Sequence, residues 1–242
     1  MLPSPLPRHG PAAPGPAPDP HRDASTAPAC EPSALLTRWL NEAADGEDLA
    51  PRLLRLSDGR VLPLPVARWA GPVDAADESL LARAEGPVLD IGCGPGRLTA
   101  ALHLRGVEVL GVELVASIPV LARAAGAPLL LGNVFGVVPR PGEWGSVLLA
   151  DGNIGIGGDP VRLLRRAREL LRPDGHVLCE LHVGRTVPNG QVRLEGLGTT
   201  SAWFSWALLG RRALPEAAAG AGLAVQEIWS AQSRQFAALL PV

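Results

Sequence analysis

Short apolar segments alternate with segments of helical periodicity between residues 87 and 182. The apolar segments are typical of strands buried on both faces of a sheet, and they cover 87–92, 107–114, 128–133, 146–151 and 176–182. Helical spacing separates several of them, over 96–106, 116–125 and 160–175. This alternation predicts an α/β fold with a doubly wound parallel sheet and right-handed crossovers.

The segment 160–175 carries the clearest helix signal in the chain. Asp159 is in the N-cap position, Pro160 in the first helical position, and Gly175 follows as the expected stop. Leucines and an alanine share one face, with arginines on the other. We therefore predict a helix that runs from Pro160 almost to Gly175.

The last fifty residues have a different pattern. An irregular strand is predicted near 191–197, a helix over 213–221, and two strands over 223–230 and 234–240. The last two strands are expected to form a hairpin at one edge of the sheet. The prediction is a mostly parallel seven-stranded sheet with an antiparallel edge hairpin.

The first 85 residues divide into two parts. Residues 1–31 are rich in proline and lack an apolar face, which predicts a disordered tail. Residues 32–85 predict a small helical and hairpin extension: a helix over 33–44 with Ser33 as N-cap, a strand–turn–strand unit over 52–66, and a helix over 75–84. The main domain is then expected over 86–242.

Composition narrows the function classes. The 22 basic residues are all arginine, and the chain has neither lysine nor tyrosine, which excludes lysine Schiff bases, Walker-type phosphate loops and Tyr/Lys dehydrogenases. A net charge of −2 argues against nucleic-acid and membrane partners. Three cysteines without paired spacing favour a reducing, cytoplasmic location, and no metal site is predicted.

The strongest motif is the segment VLDIGCGPGRL at 88–98. Its alternating glycines allow the backbone to turn sharply from a strand into a helix and to approach a ligand closely. The spacing does not fit the dinucleotide-binding pattern GxGxxG, because Arg97 or Thr99 stands at the third glycine. What fits is an acidic residue, Asp90, ahead of three alternating glycines.

This motif resembles the first motif of the class I S-adenosylmethionine-dependent methyltransferases, and the resemblance spans roughly residues 86–182. It implies S-adenosylmethionine as cofactor, with Glu113 on the ribose hydroxyls and the Asn133–Val134 segment at the adenine. Asn133 departs from the more usual aspartate. The cofactor-binding residues that the resemblance implies are Asp90, Gly92, Cys93, Gly94, Gly96, Glu113, Asn133, Val134 and Asp151.

Each of these residues also has a plainer interpretation. The glycines could form a turn without a ligand, and Asp90 could cap the loop or the helix that follows it. Glu113 alone would be an ordinary surface carboxylate. Cys93 is interpreted as a small loop residue, because no activating partner stands near it in the sequence.

Two titratable residues are expected at the carboxyl ends of the fourth and fifth strands. Asp151 and His182 are candidates to orient or deprotonate the methyl acceptor. The alternative for Asp151 is that it holds a loop or the methionine part of the cofactor. The alternative for His182 is a hydrogen-bonded structural histidine.

Candidate acceptor contacts come from three places. The glycine-rich segment 151–160 predicts backbone that faces a ligand or substrate, with Asn153 as a substrate residue. Trp203 and Trp206 lie where the family inserts substrate-binding caps, and Trp69 precedes the first motif. The alternative for these tryptophans is ordinary packing.

The resemblance therefore implies methyl transfer to an oxygen or nitrogen of a small-molecule acceptor. The segment after Asp151 lacks the Asn/Asp-Pro-Pro-aromatic motif of base and glutamine N-methyltransferases. Three alternatives stay open: a nicotinamide oxidoreductase, a non-catalytic cofactor-binding module, and a methyltransferase that acts on protein or RNA. The sequence does not indicate an oligomeric state.

Overall fold

The computed structural model describes residues 29–46, 50–118, 120–187 and 189–242, so the predicted tail lies almost wholly outside the described residues. The helices are α1 (Pro32–Ala44), α2 (Val66–Ala70), α3 (Ala75–Leu81), α4 (Arg97–Leu104), α5 (Val120–Ala124), α6 (Pro160–Leu170) and α7 (Leu214–Gly220). The strands are β1 (Leu53–Leu56), β2 (Val61–Pro63), β3 (Val88–Ile91), β4 (Val109–Glu113), β5 (Leu129–Leu131), β6 (Trp144–Leu149), β7 (Leu171–Leu181), β8 (Gln191–Gly196), β9 (Thr199–Thr200), β10 (Phe204–Ser205), β11 (Leu223–Ala231) and β12 (Arg234–Pro241).

Seven strands form the main sheet, in the order β11-β12-β7-β6-β3-β4-β5. The central pairs are parallel, whereas β12 is antiparallel both to β7 and to β11. The final two strands thus form a hairpin at one edge. The predicted fold class, a doubly wound and mostly parallel seven-stranded sheet, is confirmed.

Both faces of this sheet are covered by helices, which explains why its strands are continuously apolar. Side chains alternate between the two faces along β6, so that Val147 packs with α6 and α7, while Leu148 packs with α3 and α4. Every residue of β3 and β6 is buried. The main sheet is therefore the core on which the candidate site is built.

A second, antiparallel sheet consists of β2, β1, β8 and β10 in that order, with β9 paired to β8. Its central pair aligns Leu53 with Glu195, so the N-terminal hairpin and a segment after β7 share one sheet. Together with α1 and α2, these strands enclose a separate apolar cluster around Trp39, Leu54 and Val192. We call α1, α2, the hairpin 53–63 and the segment 191–210 the cap.

The cap lies against the carboxyl ends of the main-sheet strands. Ile118, which follows β4, is buried in the apolar cluster of the cap. Ile156, which follows β6, pairs with Trp206, and His182, which follows β7, pairs with Gly210. Ligands of open α/β sheets bind at this edge, so the cap covers the edge where the candidate residues meet.

Several predicted helix ends differ from the structure, and the helix expected over 116–125 covers only Val120–Ala124. Helix α6 ends at Leu170 rather than near Gly175, because Pro173 has no N–H to donate and its ring disfavours a helical backbone at Arg172. Helix α1 begins at Pro32 after an extended Glu31, without a side-chain cap, so Ser33 is inside the helix. Among the described helices, none is both long and apolar enough to cross a membrane.

Candidate active site

The glycine loop, residues 92–96, connects β3 to α4. Its three glycines have positive φ angles of 68° at Gly92, 56° at Gly94 and 90° at Gly96. Residues with a Cβ rarely adopt this left-handed conformation, which explains the alternating glycines. The loop lies at the carboxyl end of β3, next to β4 and β6.

Gly96→Ala should strongly destabilise the protein. A Cβ at this position would lie 2.4 Å from Ala122 Cβ and 3.0 Å from Ala122 N in helix α5. We expect a loss of about 2–5 kcal/mol in the free energy of unfolding, from overpacking and the left-handed backbone together. Urea denaturation, monitored by circular dichroism, measures this loss in the free energy of unfolding.

Gly94→Ala is the matched control for this prediction. The atom nearest to a Cβ at Gly94 is 4.0 Å away, so only the backbone penalty of about 1–2 kcal/mol applies. Equal losses in the two variants would show that the contact with Ala122 does not explain Gly96.

Glu113 ends β4 beside the glycine loop. Its Oε2 accepts a hydrogen bond from Gly94 N at 3.1 Å, and its Oε1 accepts one from Val115 N at 3.0 Å. The carboxylate is half-buried, and each of its oxygens retains a further lone pair for a donor. The structure thus brings the predicted ribose-binding residue into direct contact with the predicted glycine motif.

Asn133 and Val134 follow β5, next to β4. The Asn133 side chain accepts at Oδ1 from Phe135 N at 2.9 Å, which fixes a local turn. Arg166 of α6 donates to Val134 O at 3.0 Å and to Gly136 O at 2.8 Å. This two-carbonyl contact orients the segment predicted to meet the adenine.

Asp90 is 2% exposed and accepts a hydrogen bond from Thr99 Oγ1 at 2.6 Å. Burial raises the pKa of this carboxyl to about 6. Burial, together with Asp90 and Glu113, also raises the pKa of the neighbouring Cys93 thiol, so this cysteine is held as a neutral, unreactive group. A buried carboxylate that ionises near neutrality is typical of functional sites.

Asp90→Asn should stabilise the ligand-free protein. The folded pKa of about 6 lies above the ordinary value of 3.8, so the stability given by protonated Asp90 is lost as the pH rises through 6. At pH 7.5 the asparagine variant should be more stable, by on the order of 3 kcal/mol, while retaining an acceptor for Thr99. Thermal unfolding at pH 4.5 and 7.5 measures the difference.

The exposed Asp174, whose side chain is 79% accessible, supplies the control variant Asp174→Asn. This change should leave the stability unchanged at both values of pH. A stability gain in Asp90→Asn that is as large at pH 4.5 as at pH 7.5 would contradict a raised pKa at Asp90.

Asp151 belongs to an unexpected group of charges near the glycine loop. Its Oδ2 accepts from Arg97 Nη1 at 2.5 Å, and its Oδ1 accepts from Arg68 Nη2 at 3.1 Å. Its own N–H donates to Glu180 at 2.7 Å. Both oxygens are thus bound to guanidinium groups, a geometry that agrees with the alternative of a loop-holding role. The general-base role of Asp151 stays a prediction.

We call Asp77, Arg97, Asp151, Glu180 and Arg234 the buried ion-pair cluster. Arg97 makes a bidentate contact to Asp77, and Arg234 makes one to Glu180 at 2.8 and 2.7 Å. Burial alone would raise the pKa of Asp77, but hydrogen bonds from Arg97 and Arg234 lower it below its usual value. Sequence reasoning missed this cluster, because its members are dispersed from α3 to β12.

The glycine-rich segment after β6 faces the cap and the glycine loop. A Cβ at Gly155 would lie 2.6 Å from Trp206 Nε1, and one at Gly157 would lie 3.2 Å from the Phe135 ring. The Asn153 side chain donates to Gly92 O at 2.8 Å and to Ile91 O at 3.0 Å. Close packing against other parts of the chain therefore accounts for Gly155 and Gly157, whereas Gly152 has a φ of 84° and open space where a Cβ would lie. The Asn153 side chain is engaged with backbone.

The remaining predicted residues are placed as follows. His182 is half-buried at the end of β7, and its pKa is lowered by burial and by the positive charge of Arg60 in the cap. Trp69 is half-buried at the edge of the cap cluster, with a buried Nε1 that has no hydrogen-bond partner among the described residues. Trp203 is 45% exposed, with its ring against Arg193.

Comparisons with known proteins agree with this geometry. Residues 89–179, from β3 into β7, match a family model described as a methyltransferase domain. This part of the chain is similar to methyltransferase domains. A search of curated protein sequences finds no significant match to the chain.

Several solved structures share the fold of this chain. A SAM-dependent methyltransferase from Bacteroides fragilis, in complex with S-adenosylhomocysteine, has a TM-score of 0.70 at 19% identity, covering 90% of this chain and 98% of that one. A Burkholderia thailandensis 1,6-didemethyltoxoflavin N1-methyltransferase has a TM-score of 0.54 at 18% identity, covering 90% of this chain and 96% of that one. The CcbJ methyltransferase from Streptomyces caelestis has a TM-score of 0.54 at 22% identity, covering 72% of this chain and 92% of that one. At these identities the likeness establishes the fold.

Proposed function

We propose that this chain transfers a methyl group from S-adenosylmethionine to an oxygen or nitrogen of a small-molecule acceptor. The observation that carries the proposal is the contact between Gly94 and Glu113 at the carboxyl edge of β3 and β4, beneath a cap. The asparagine segment after β5 continues the same edge. The glycine loop, the carboxylate and the amide thus follow the three adjacent strands β3, β4 and β5, in that order.

The residues present fit this cofactor. Glu113 offers acceptors to the two ribose hydroxyls, and Leu114, which is 69% exposed, offers an apolar surface beside it for the adenine. Asp90, ionised above a pKa of about 6, favours a cationic ligand. Arg68 Nε and Trp69 Nε1 are buried donors without a hydrogen-bond partner in the described ranges, and a ligand carboxylate would satisfy them.

When bound, S-adenosylmethionine supplies a methyl group on a sulfonium, which is already a strong electrophile. The chain then has to hold an acceptor in line with that group and keep water away. The cap, with Trp69 and Trp206 at its partly buried boundary, is suited to both tasks. Its aromatic surface favours an acceptor with an apolar or aromatic body.

His182 is the candidate general base of this proposal. Its lowered pKa keeps the imidazole neutral, and able to accept a proton, throughout the physiological range. If His182 removes the acceptor proton, kcat should rise with pH through a pKa below the ordinary histidine value of 6.5 and then level off. His182→Ala should lower kcat by about 10²–10⁴-fold and abolish this step in the profile.

Asp151→Asn serves as the comparison for this prediction. It should lower stability through the ion-pair cluster but leave the shape of the pH profile unchanged. The base hypothesis would be wrong if His182→Ala retained the turnover and the pH profile of the wild type.

The test of the proposal is transfer of a labelled methyl group. Purified protein and labelled S-adenosylmethionine are incubated with small-molecule extracts and, separately, with protein and RNA fractions of a lysate. We expect label in a small molecule that carries a hydroxyl or an amine. The Burkholderia thailandensis methyltransferase was solved with the small molecule 1,6-didemethyltoxoflavin bound, which supports this order of testing. Label only in protein or RNA would overturn the proposed acceptor class.

A further inference from the structure

The segment 151–158 lies between the glycine loop and the cap. On the side of the loop, the Asn153 amide donates one hydrogen bond to Gly92 O at 2.8 Å and one to Ile91 O at 3.0 Å. An amide nitrogen carries two hydrogens, so these two contacts use its full donor capacity. Asn153 thereby joins the end of β3 to the segment after β6.

The absence of a side chain at Gly92 makes room for this contact. A Cβ at Gly92 would lie 3.0 Å from Asn153 Cγ and 2.9 Å from Ile156 Cδ1. The first glycine of the motif is therefore needed for the approach of these two side chains, in addition to its φ of 68°. The turn that begins the glycine loop is held by protein atoms before any ligand binds.

The same segment is fixed from the cap. Ala207 N donates to Gly155 O at 3.0 Å, and Ile156 forms an antiparallel bridge with Trp206. The Ala207 carbonyl and the Trp206 indole cover Gly155, where a Cβ would be 2.1 Å from Ala207 O and 2.6 Å from Trp206 Nε1. The position of Asn153 is thus set by contacts to the cap only two or three residues further along the chain.

We propose that Asn153 is a positioning residue that holds the glycine loop in its cofactor-binding conformation, and that Trp206 keeps Asn153 in place from the cap. The inference rests on the proposed cofactor. It assigns to Asn153 a role different from contact with the acceptor, and to Trp206 a role in addition to its place at the boundary of the cap. A change in the cap then alters the conformation of the glycine loop through the segment 151–158.

The first test removes the amide contact. Asn153→Asp replaces the donor with a carboxylate facing two carbonyl oxygens, and Asn153→Ala removes the side chain without repulsion. In both variants the affinity for S-adenosylmethionine, measured by calorimetry, should fall about tenfold or more, as expected when hydrogen bonds that fix a loop are lost. The KM for S-adenosylmethionine should rise, while kcat at saturation changes little.

A readout independent of the cofactor is amide hydrogen exchange in the ligand-free protein. Peptides that cover 91–96 should exchange faster in the Asn153 variants than in the wild type, whereas the β7–β12 pair should be unchanged. A residue with a general structural role would instead accelerate exchange throughout the sheet.

The second test separates two tryptophans of one cap segment. Trp206→Leu should weaken cofactor binding and accelerate exchange at 91–96, as the Asn153 variants do. Trp203→Leu, at a position 45% exposed, should leave both unchanged. If Trp206→Leu does not fold, Trp206→Phe keeps the comparison, with a smaller effect in the same direction.

The possible failures can be told apart. If wild-type protein does not bind S-adenosylmethionine, the proposed function fails. If the wild type binds it and the Asn153 variants bind equally well with unchanged exchange at 91–96, the positioning role fails. Equal effects of the Trp203 and Trp206 variants would overturn the part assigned to Trp206.

Discussion

Arg234→Met should lower the free energy of unfolding by about 3–5 kcal/mol, as is usual when one partner of a buried ion pair is removed. Arg234 is 5% exposed and donates to Glu180 at 2.7 and 2.8 Å and to Asp77 at 2.7 Å. Methionine fills most of the volume but leaves these two carboxylates with less positive charge around them. Because Asp77 is fully buried, water cannot replace the lost hydrogen bonds. Urea denaturation at pH 7 measures the loss.

Arg105→Met is the matched control. Arg105 also makes a bidentate contact to a carboxylate, Glu78, but their side chains are 43% and 47% exposed. The change should therefore cost less than about 1 kcal/mol. A similar small loss in Arg234→Met would contradict the importance of the buried ion-pair cluster.

Glu113→Ala should lower the affinity for S-adenosylmethionine by about 100-fold or more, since hydrogen bonds to a charged group contribute about 1.5–3 kcal/mol each. The substitution removes the acceptors proposed for the ribose hydroxyls. It also removes the carboxylate that accepts from Gly94 N and Val115 N, so the loop loses support at the same time. Calorimetric titration of the folded variant measures the effect.

Glu108→Ala removes the same charge just before the opposite end of β4, where the Glu108 side chain is 64% exposed and pairs with Arg140. This variant should bind S-adenosylmethionine as the wild type does. Equal losses of affinity in the Glu108 and Glu113 variants would show that net charge, rather than the position of Glu113, determines binding.

The main sheet was predictable because its signals are local. Short apolar segments such as 146–151 have to be buried on both faces, and the amphipathic helix after Asp159 supplies the cover. The turn formed by the glycine motif at 88–98 was equally predictable, since positive φ angles at alternate positions are adopted by few residue types other than glycine. The structure confirms the fold class, and residues 89–179 match a model described as a methyltransferase domain.

The cap could not be derived in the same way. The hairpin of β1 and β2 was predicted, but its pairing with β8 depends on a contact between Leu53 and Glu195, which no local pattern encodes. The buried ion-pair cluster has the same character, because arginines such as Arg97 and Arg234 look like ordinary surface residues in the sequence. Pairing between residues far apart in the sequence cannot be predicted from the pattern of a single segment, whereas helix or strand periodicity can.

The segment after Asp151 shows how one sequence pattern can have two causes. Close approach to its glycines was predicted, and the structure shows it at Gly155 against Trp206 and at Gly157 against Phe135. The approaching atoms belong to other residues of the protein and not to a ligand. Sequence alone does not distinguish a ligand from a folded neighbour, because both require the same absent Cβ. The roles proposed for His182 and Trp69 stay predictions.

The most direct test is calorimetric titration of the purified wild-type chain with S-adenosylmethionine and, separately, with NAD. We expect saturable binding of S-adenosylmethionine at one site per chain, weakened by Glu113→Ala and unchanged in Glu108→Ala. NAD should give no binding, because the glycine spacing at 92–96 does not provide the dinucleotide pattern. Binding of NAD, or no binding of S-adenosylmethionine by folded protein, would contradict the central claim.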